Sequence, residues 1–147
     1  MITAKTFRLD GQLGLVTGSS AGIGLALAAG LAQAGAHLVL NGRDPVKLAA
    51  AARSLADQGH TVHTSAFDVT SGDATAVAIQ QIERDVGPIE VLVNNAGIQR
   101  RAPFQDFPAE QWSELMRTNV DSVFHVGQAV ARFMVQRKRG RIINVCS

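Results

Sequence analysis

Short runs of β-branched residues and leucine alternate with longer runs rich in alanine and leucine along almost the whole chain. Two parallel strands are joined by a crossover of a dozen or more residues, which is generally a helix. The alternation therefore predicts an α/β fold, with a doubly wound parallel sheet and helices on both of its faces. Five strands are predicted, at residues 13–17, 37–40, 61–67, 89–93 and 141–146.

Residues that start and stop helices lie between these strands. Asp44 and Pro45 are typical of an N-cap followed by a first helical position. Thr70 or Ser71 is expected to cap the next helix, and Gly140 to end the last one. Four helices are predicted, over residues 22–34, 45–58, 71 or 72 to 86, and 108 or 109 to 136.

The composition is that of one globular domain, since 46% of the 147 residues are hydrophobic and 18% are charged. A net charge of +2 is too small to indicate binding to nucleic acid or to a membrane surface. No signal peptide or spanning segment is recognisable, so we expect a cytoplasmic protein. Cys146 is expected to be a core thiol, and no metal site is expected at His60 and His63.

A glycine-rich turn from Thr17 to Gly24 connects the first predicted strand to the first predicted helix. Glycines let the backbone turn tightly and approach a pyrophosphate, while the helix N-terminus offers unpaired N–H groups and partial positive charge. A plain connecting loop is the alternative, but the position at the start of a βαβ unit favours a Rossmann-like dinucleotide site. The expected contacts are Gly18, Ser19, Ser20, Gly22, Ile23 and Gly24.

The end of the second strand indicates which dinucleotide binds. An acidic residue there pairs with the ribose 2′-hydroxyl of NAD, whereas an arginine accommodates the 2′-phosphate of NADP. No carboxylate is present at Asn41, while Arg43 and Ser19 are placed to meet a phosphate. Asp44 is explained by its capping role. We therefore predict NADP in preference to NAD.

Several further motifs, in the same order along the chain, resemble those of the short-chain dehydrogenase/reductase family. The resemblance covers the whole chain, which makes chance agreement very improbable. It is carried, after the glycine turn, by Phe67-Asp68-Val69, Asn94-Asn95-Ala96-Gly97, Thr118-Asn119-Val120 and the segment Gly140-Arg141-Ile142-Ile143-Asn144-Val145-Cys146-Ser147.

The resemblance implies further contacts with the cofactor. Asp68 corresponds to the residue that contacts the adenine ring, and Val69 lies beside it. Asn94 and Ala96 are implied to lie next to the cofactor. Ala96 and Gly97 are small, which leaves room for its ribose.

The resemblance also implies catalytic residues. Asn119 corresponds to the helix asparagine that supports a proton-relay water, and Ser147 to the serine that hydrogen-bonds the substrate oxygen. The family's acid/base is a tyrosine followed four residues later by a lysine, on a helix after the fifth strand. The sequence contains no tyrosine. We therefore expect an incomplete dehydrogenase domain, ending after its fifth strand and catalytically silent by itself.

Residues 97–103 and 142–147 resemble the gluconate 5-dehydrogenase branch of the family, which interconverts gluconate and 5-ketogluconate. Arg100 and Arg101 follow the fourth strand, on the side of the sheet where ligands bind. An arginine fork there is suited to binding the carboxylate of a sugar acid. A pair of solvated or interface arginines is the alternative.

Three functions are compatible with the sequence. The first is an NADP-dependent oxidoreductase acting on a polyol or sugar acid. The second is a non-catalytic NADP-binding or regulatory module on the same fold, and the third is a structural fragment that binds nothing. The family's equivalent of the long helix packs against a second subunit, so a homo-oligomer is also implied.

Overall fold

Five parallel strands form the centre of the protein, seen in a computed structural model that describes residues 7–146. The strands are β1 (Leu13–Val16), β2 (His37–Gly42), β3 (Val62–Ala66), β4 (Ile89–Asn94) and β5 (Arg141–Asn144). Their order across the sheet is β3-β2-β1-β4-β5, and every neighbouring pair is parallel. The predicted doubly wound parallel sheet is confirmed.

Helices cover both faces of the sheet. They are α1 (Gly22–Gln33), α2 (Pro45–Ala56), α3 (Gly72–Asp85), α4 (Ala109–Met116) and α5 (Ser122–Arg137). Asp44 caps α2 by accepting hydrogen bonds from the N–H groups of Val46 and Lys47, at 2.9 and 3.2 Å. Ser71 rather than Thr70 caps α3. Within residues 7–146, no helix is both long and apolar enough to cross a bilayer.

Two hydrophobic clusters pack against opposite faces of the sheet. Leu13, Leu15 and Val39 point towards α3 and α5, whereas Val16 and Leu38 point towards α1 and α2. This division follows because successive side chains of a strand point to opposite faces. The chain builds β1, β2 and β3 outward in one direction and then crosses to β4 on the other side of β1. That reversal leaves a crevice at the carboxyl ends of β1 and β4.

The single long helix predicted over residues 109–136 is wrong in one respect. Arg117–Asp121 forms a five-residue π-helical turn that separates α4 from α5. The carboxamide of Asn119 there pairs with the peptide of Ile98, accepting from its N–H at 2.8 Å and donating to its oxygen at 2.9 Å. Lys138, in the left-handed conformation with φ +53°, ends α5 ahead of Gly140.

The fifth strand differs from the buried strand that was expected. β5 ends at Asn144 and lies at the edge of the sheet, with all four of its residues exposed. The thiol of Cys146 is also exposed, so the expectation of a core thiol is wrong for the described structure. The physical reason is that, within residues 7–146, only β4 pairs with β5.

Candidate functional site

A cleft opens at the carboxyl ends of the strands, beside the crevice between β1 and β4. Its walls come from the glycine turn, from the ends of β2 and β3, from the segment after β4 and from the π turn. Among residues 7–146, no group of three His, Cys, Asp or Glu side chains is placed to hold a metal ion. The cleft is lined by Gly18, Ser20, Asn41, Gly42, Arg43, Phe67, Asp68, Val69, Thr70, Ala96, Gly97 and Thr118.

The glycine turn lies very close to the segment that follows β4. Gly18 has φ +62°, and a Cβ there would lie 2.8 Å from the Cα of Ala96. Gly24 lies so close to the carbonyl oxygen of Gly18 that a Cβ would overlap with it. In the part of the chain described, no side chain caps the N-terminus of α1, whose N-cap is Ala21. The start of α1 follows Ser20, which lines the cleft, whereas Gly22, Ile23 and Gly24 do not line it. The partial positive charge at this helix end is not compensated by a capping side chain.

A polar clasp, formed by Thr17 and Asn95, fixes this close approach. The hydroxyl of Thr17 accepts from the N–H groups of Asn95 and Ala96, each at 3.0 Å. The side-chain amide of Asn95 donates back to the carbonyl oxygens of Thr17 and Gly18, at 3.1 and 3.2 Å. The glycine turn and the segment after β4 are thus held as one unit.

Ser19 does not face the cleft, which corrects the expectation that its hydroxyl meets a phosphate. The side chain is completely buried, donates to the carbonyl oxygen of Val16 at 2.7 Å and accepts from the N–H of Asn41 at 3.0 Å. The hydroxyl of Ser19 is therefore engaged by backbone groups of the protein and is not available to a ligand in the cleft. Ser20 lines the cleft instead, with its hydroxyl beside Gly42.

Asn94 is also placed differently from the implied position. Its side chain is 4% exposed and donates to the carboxamide oxygen of Asn144 at 2.9 Å. It therefore ties β4 to β5 and does not line the cleft. Ala96 and Gly97 do line it, next to the turn.

The end of β2 presents Gly42 and Arg43 to the cleft, whereas the carboxamide of Asn41 is turned inward. Position 41 is therefore not where a side chain would meet a ribose, contrary to the sequence interpretation. Gly42 has no side chain, so Ser20 and Arg43 define the wall at this point. Of the described residues that line the cleft, Asp68 alone carries a carboxylate.

The carboxylate of Asp68 accepts hydrogen bonds from the N–H and the hydroxyl of Thr70, at 2.9 and 2.7 Å. The backbone N–H is the largest cause that lowers the pKa of Asp68 below its usual value. Burial opposes this shift, while the Thr70 hydroxyl and the positive charges of Arg43 and Arg117 add to it. Asp68 is thus an ionised hydrogen-bond acceptor on the wall of the cleft.

Of the two residues with implied catalytic roles, Asn119 and Ser147, the structure describes only Asn119. Asn119 lies on the π turn next to Gly97, and its carboxamide is occupied by the peptide of Ile98. Thr118, its neighbour, lines the cleft. Ser147 lies outside the described residues.

Arg100 and Arg101 are exposed on the loop after β4 and do not line the cleft. Arg100 forms a two-point ion pair with Glu114 of α4, from Nε at 3.1 Å and from Nη2 at 3.0 Å. A substrate carboxylate at Arg100 would therefore compete with Glu114.

Comparisons with known proteins agree with this geometry. The family model described as short chain dehydrogenase matches residues 12–147. The chain belongs to the short-chain dehydrogenase family. The resemblance of the sequence motifs to that family is thereby confirmed.

Individual members of the family are similar over nearly the whole chain. A gluconate 5-dehydrogenase from Gluconobacter oxydans is 54% identical over 141 residues, which make up 96% of this chain and 55% of that protein. A 5-keto-D-gluconate 5-reductase from Escherichia coli K12 is 45% identical over 141 residues, 96% of this chain and 56% of that protein. The chain spans about half the length of the curated relatives it matches.

A solved structure shows the same fold. The crystal structure of a gluconate 5-dehydrogenase from Burkholderia cenocepacia, in complex with NADP and tartrate, has a TM-score of 0.95 and 51% sequence identity to this chain. The match covers 98% of this chain and 56% of that one. The short-chain dehydrogenase fold is therefore shared across all the described strands.

Sequence reasoning missed several residues of the cleft. Asn41 carried a signal, because a polar residue that ends an apolar run in a buried strand needs hydrogen-bond partners. For Gly42 the sequence offered no signal other than its position at the end of the strand. The missed residues are Asn41, Gly42, Phe67, Thr70 and Thr118.

We expect the side-chain carboxyl of Asp68 to titrate below its usual value of 3.8 in an NMR pH titration. Because the folded state favours the ionised form, Asp68 stabilises the fold above that usual value, and the contribution is lost as the pH falls through the lowered pKa. Thr70→Val removes the hydroxyl donor and keeps the N–H donor, so it should move the pKa only part of the way back. Titration at the usual value in the unaltered chain would contradict this account.

Proposed function

We propose that residues 1–147 form the NADP-binding part of a short-chain dehydrogenase domain whose enzyme interconverts gluconate and 5-ketogluconate. The observation that carries the choice of cofactor is the wall at the end of β2. Arg43 and the Ser20 hydroxyl lie there, and Gly42 contributes no carboxylate. Guanidinium and hydroxyl groups suit a 2′-phosphate, whereas NAD needs an acidic partner for its ribose.

The other walls of the cleft fit the rest of a dinucleotide. The uncapped N-terminus of α1, which begins just after Ser20 and includes Gly22 and Ile23, does not line the cleft but suits a pyrophosphate at its edge. Asp68 and Val69 provide a hydrogen-bond acceptor and an apolar surface for adenine. Ala96 and Gly97 leave space beside the ribose on the nicotinamide side.

Oxidation of a secondary alcohol requires two transfers. When bound, NADP would accept the hydride from the carbinol carbon, while the hydroxyl proton must pass to a base. Asn119 and Ser147 are the proposed participants from this chain, Asn119 in supporting a relay water and Ser147 in holding the substrate oxygen. None of the 147 residues is a tyrosine, so the family's acid/base is not supplied by them.

The proposed substrate is a sugar acid. The relatives at 54% and 45% identity are a gluconate 5-dehydrogenase and a 5-keto-D-gluconate 5-reductase. Arg100 and Arg101 are cations on the loop after β4, on the ligand side of the sheet. We propose that they attract the substrate carboxylate, with Arg100 shared between that group and Glu114.

A homo-oligomer is also part of the proposal. Trp112 and Phe124 are 58% and 61% exposed on α4 and α5, and Val120 between them is 49% exposed. Their spacing of four and eight residues places them along one side of a nearly continuous helix. An exposed apolar stripe of this kind is typical of a contact surface between subunits.

Arg43→Ala should weaken NADPH binding about 10- to 100-fold and leave NADH binding unchanged, because it removes charge-assisted hydrogen bonds to the 2′-phosphate. Fluorescence titration of the nicotinamide measures both dissociation constants. Arg53→Ala, on the exposed side of α2, is the matched control and should change neither. Equal affinity of the unaltered chain for NADPH and NADH would overturn the assignment of NADP.

The 147-residue chain should bind NADPH and yet produce no NADPH from NADP and gluconate, since general acid–base assistance is typically worth about 10²- to 10⁴-fold in rate. Absorbance at the nicotinamide band follows the reaction. Gluconate-dependent NADPH formation by this chain would contradict the proposal. Binding without turnover in a longer protein that contains a Tyr-x-x-x-Lys helix would favour the non-catalytic NADP-binding module.

In a catalytically active protein that contains these residues, Arg100→Ala and Arg101→Ala should each raise KM for gluconate by about tenfold, the loss expected for one charge-assisted hydrogen bond. Arg132→Ala, on the exposed side of α5, is the control and should leave KM unchanged. An unaltered KM in both variants would show that neither arginine binds the substrate carboxylate. Arg100 and Arg101 would then be solvated or interface arginines.

A further inference from the structure

Asn41 ends the apolar run of β2 with a carboxamide that is almost completely buried, at 1% exposure. Its nitrogen donates to the carbonyl oxygens of Ser65 and Phe67 at the end of β3, at 3.2 and 3.1 Å. Its oxygen accepts from the N–H of Gly18 at a longer 3.4 Å. One side chain thus connects the first glycine of the turn with the wall that leads to Asp68.

The backbone of Asn41 is held from the same side. Its N–H donates to the hydroxyl of Ser19 at 3.0 Å, and its carbonyl oxygen accepts from the N–H of Ser19 at 2.8 Å. These bonds fix the backbone of Asn41 beside the turn, while burial and its own three hydrogen bonds hold the carboxamide between the turn and β3. The buried Ser19, which does not face the cleft, therefore acts together with Asn41.

We infer that Asn41 is a positioning residue that sets the separation between the glycine turn and the Phe67–Asp68 wall, between which the adenosine part of the cofactor lies. The inference rests on the proposed function. Asn41 itself makes no contact with the 2′-phosphate, because the proposed partners of that group are Ser20 and Arg43. The carboxamide acts through the two elements that it joins.

A carboxamide suits this place because it combines two N–H donors with an acceptor. Asn41→Ala leaves the carbonyl oxygens of Ser65 and Phe67 without their shared donor, so the wall is no longer tied to the turn. Asn41→Asp keeps the shape but turns acceptor oxygens towards those two carbonyls, which repels them. The aspartate variant should therefore be the more severe of the two.

The test measures dissociation constants for NADPH and for adenosine 2′,5′-bisphosphate, which occupies the adenosine side alone. Measurements are made on the protein well below the melting temperature of every variant. Asn41→Ala should weaken both ligands by the same factor of about ten, the size expected for one lost hydrogen-bonding group. Asn41→Asp should weaken both further. Ile82→Ala, in the core on α3, is the control that lowers the melting temperature and leaves both constants unchanged.

A merely structural role predicts a different result. Asn41→Ala would then lower the melting temperature as Ile82→Ala does and bind both ligands normally, which would overturn the inference and leave the proposed function intact. Weaker NADPH binding with unchanged binding of the bisphosphate would also overturn it, since the effect would not lie on the adenosine side. An unaltered protein that binds neither ligand would overturn the proposed function as well.

Discussion

The polar clasp formed by Thr17 and Asn95 is the interaction on which the cleft depends. Parallel strands that lead into helices on opposite faces diverge at their carboxyl ends, so β1 and β4 would by themselves leave an open gap. The clasp closes the base of that gap with four hydrogen bonds between the turn and the segment after β4. The close approach of Gly18 to Ala96 is possible only because neither residue has a bulky side chain. The position of the glycine turn relative to the segment after β4 follows from this contact.

The end of β2 carries the groups on which the proposed preference for NADP depends. Asn41 and Ser19 turn inward and hold the backbone, which leaves Gly42, Arg43 and Ser20 to face the cleft. Asp44 follows at once, but its carboxylate is used by the N–H groups at the start of α2. The carboxylate that follows Arg43 in the sequence is therefore engaged by the start of α2, and it does not line the cleft. Buried residues that hold the backbone and residues that line the cleft therefore lie within a few positions of one another.

Local patterns predicted most of the fold, because strand alternation and the cap at Asp44 depend on neighbours in sequence. The differences arise where distant residues meet. The π turn at Asn119 is stabilised by the peptide of Ile98, 21 residues earlier. Which of Ser19 and Ser20 faces the cleft depends on how β2 lies beside the turn, and the sequence interpretation wrongly chose Ser19 as the phosphate ligand. Arg100 was placed on the correct side of the sheet, but its pairing with Glu114 requires α4 to pack nearby.

A crystal structure of the chain with bound NADPH would show directly which groups of the cleft hold the cofactor. We expect pyrophosphate oxygens at the N-terminus of α1, and 2′-phosphate oxygens within about 3 Å of the Arg43 guanidinium and the Ser20 hydroxyl. Ser19 and Asn41 should keep their buried hydrogen bonds in the complex. An adenosine bound elsewhere, or a 2′-phosphate directed into solvent away from Arg43 and Ser20, would contradict this arrangement.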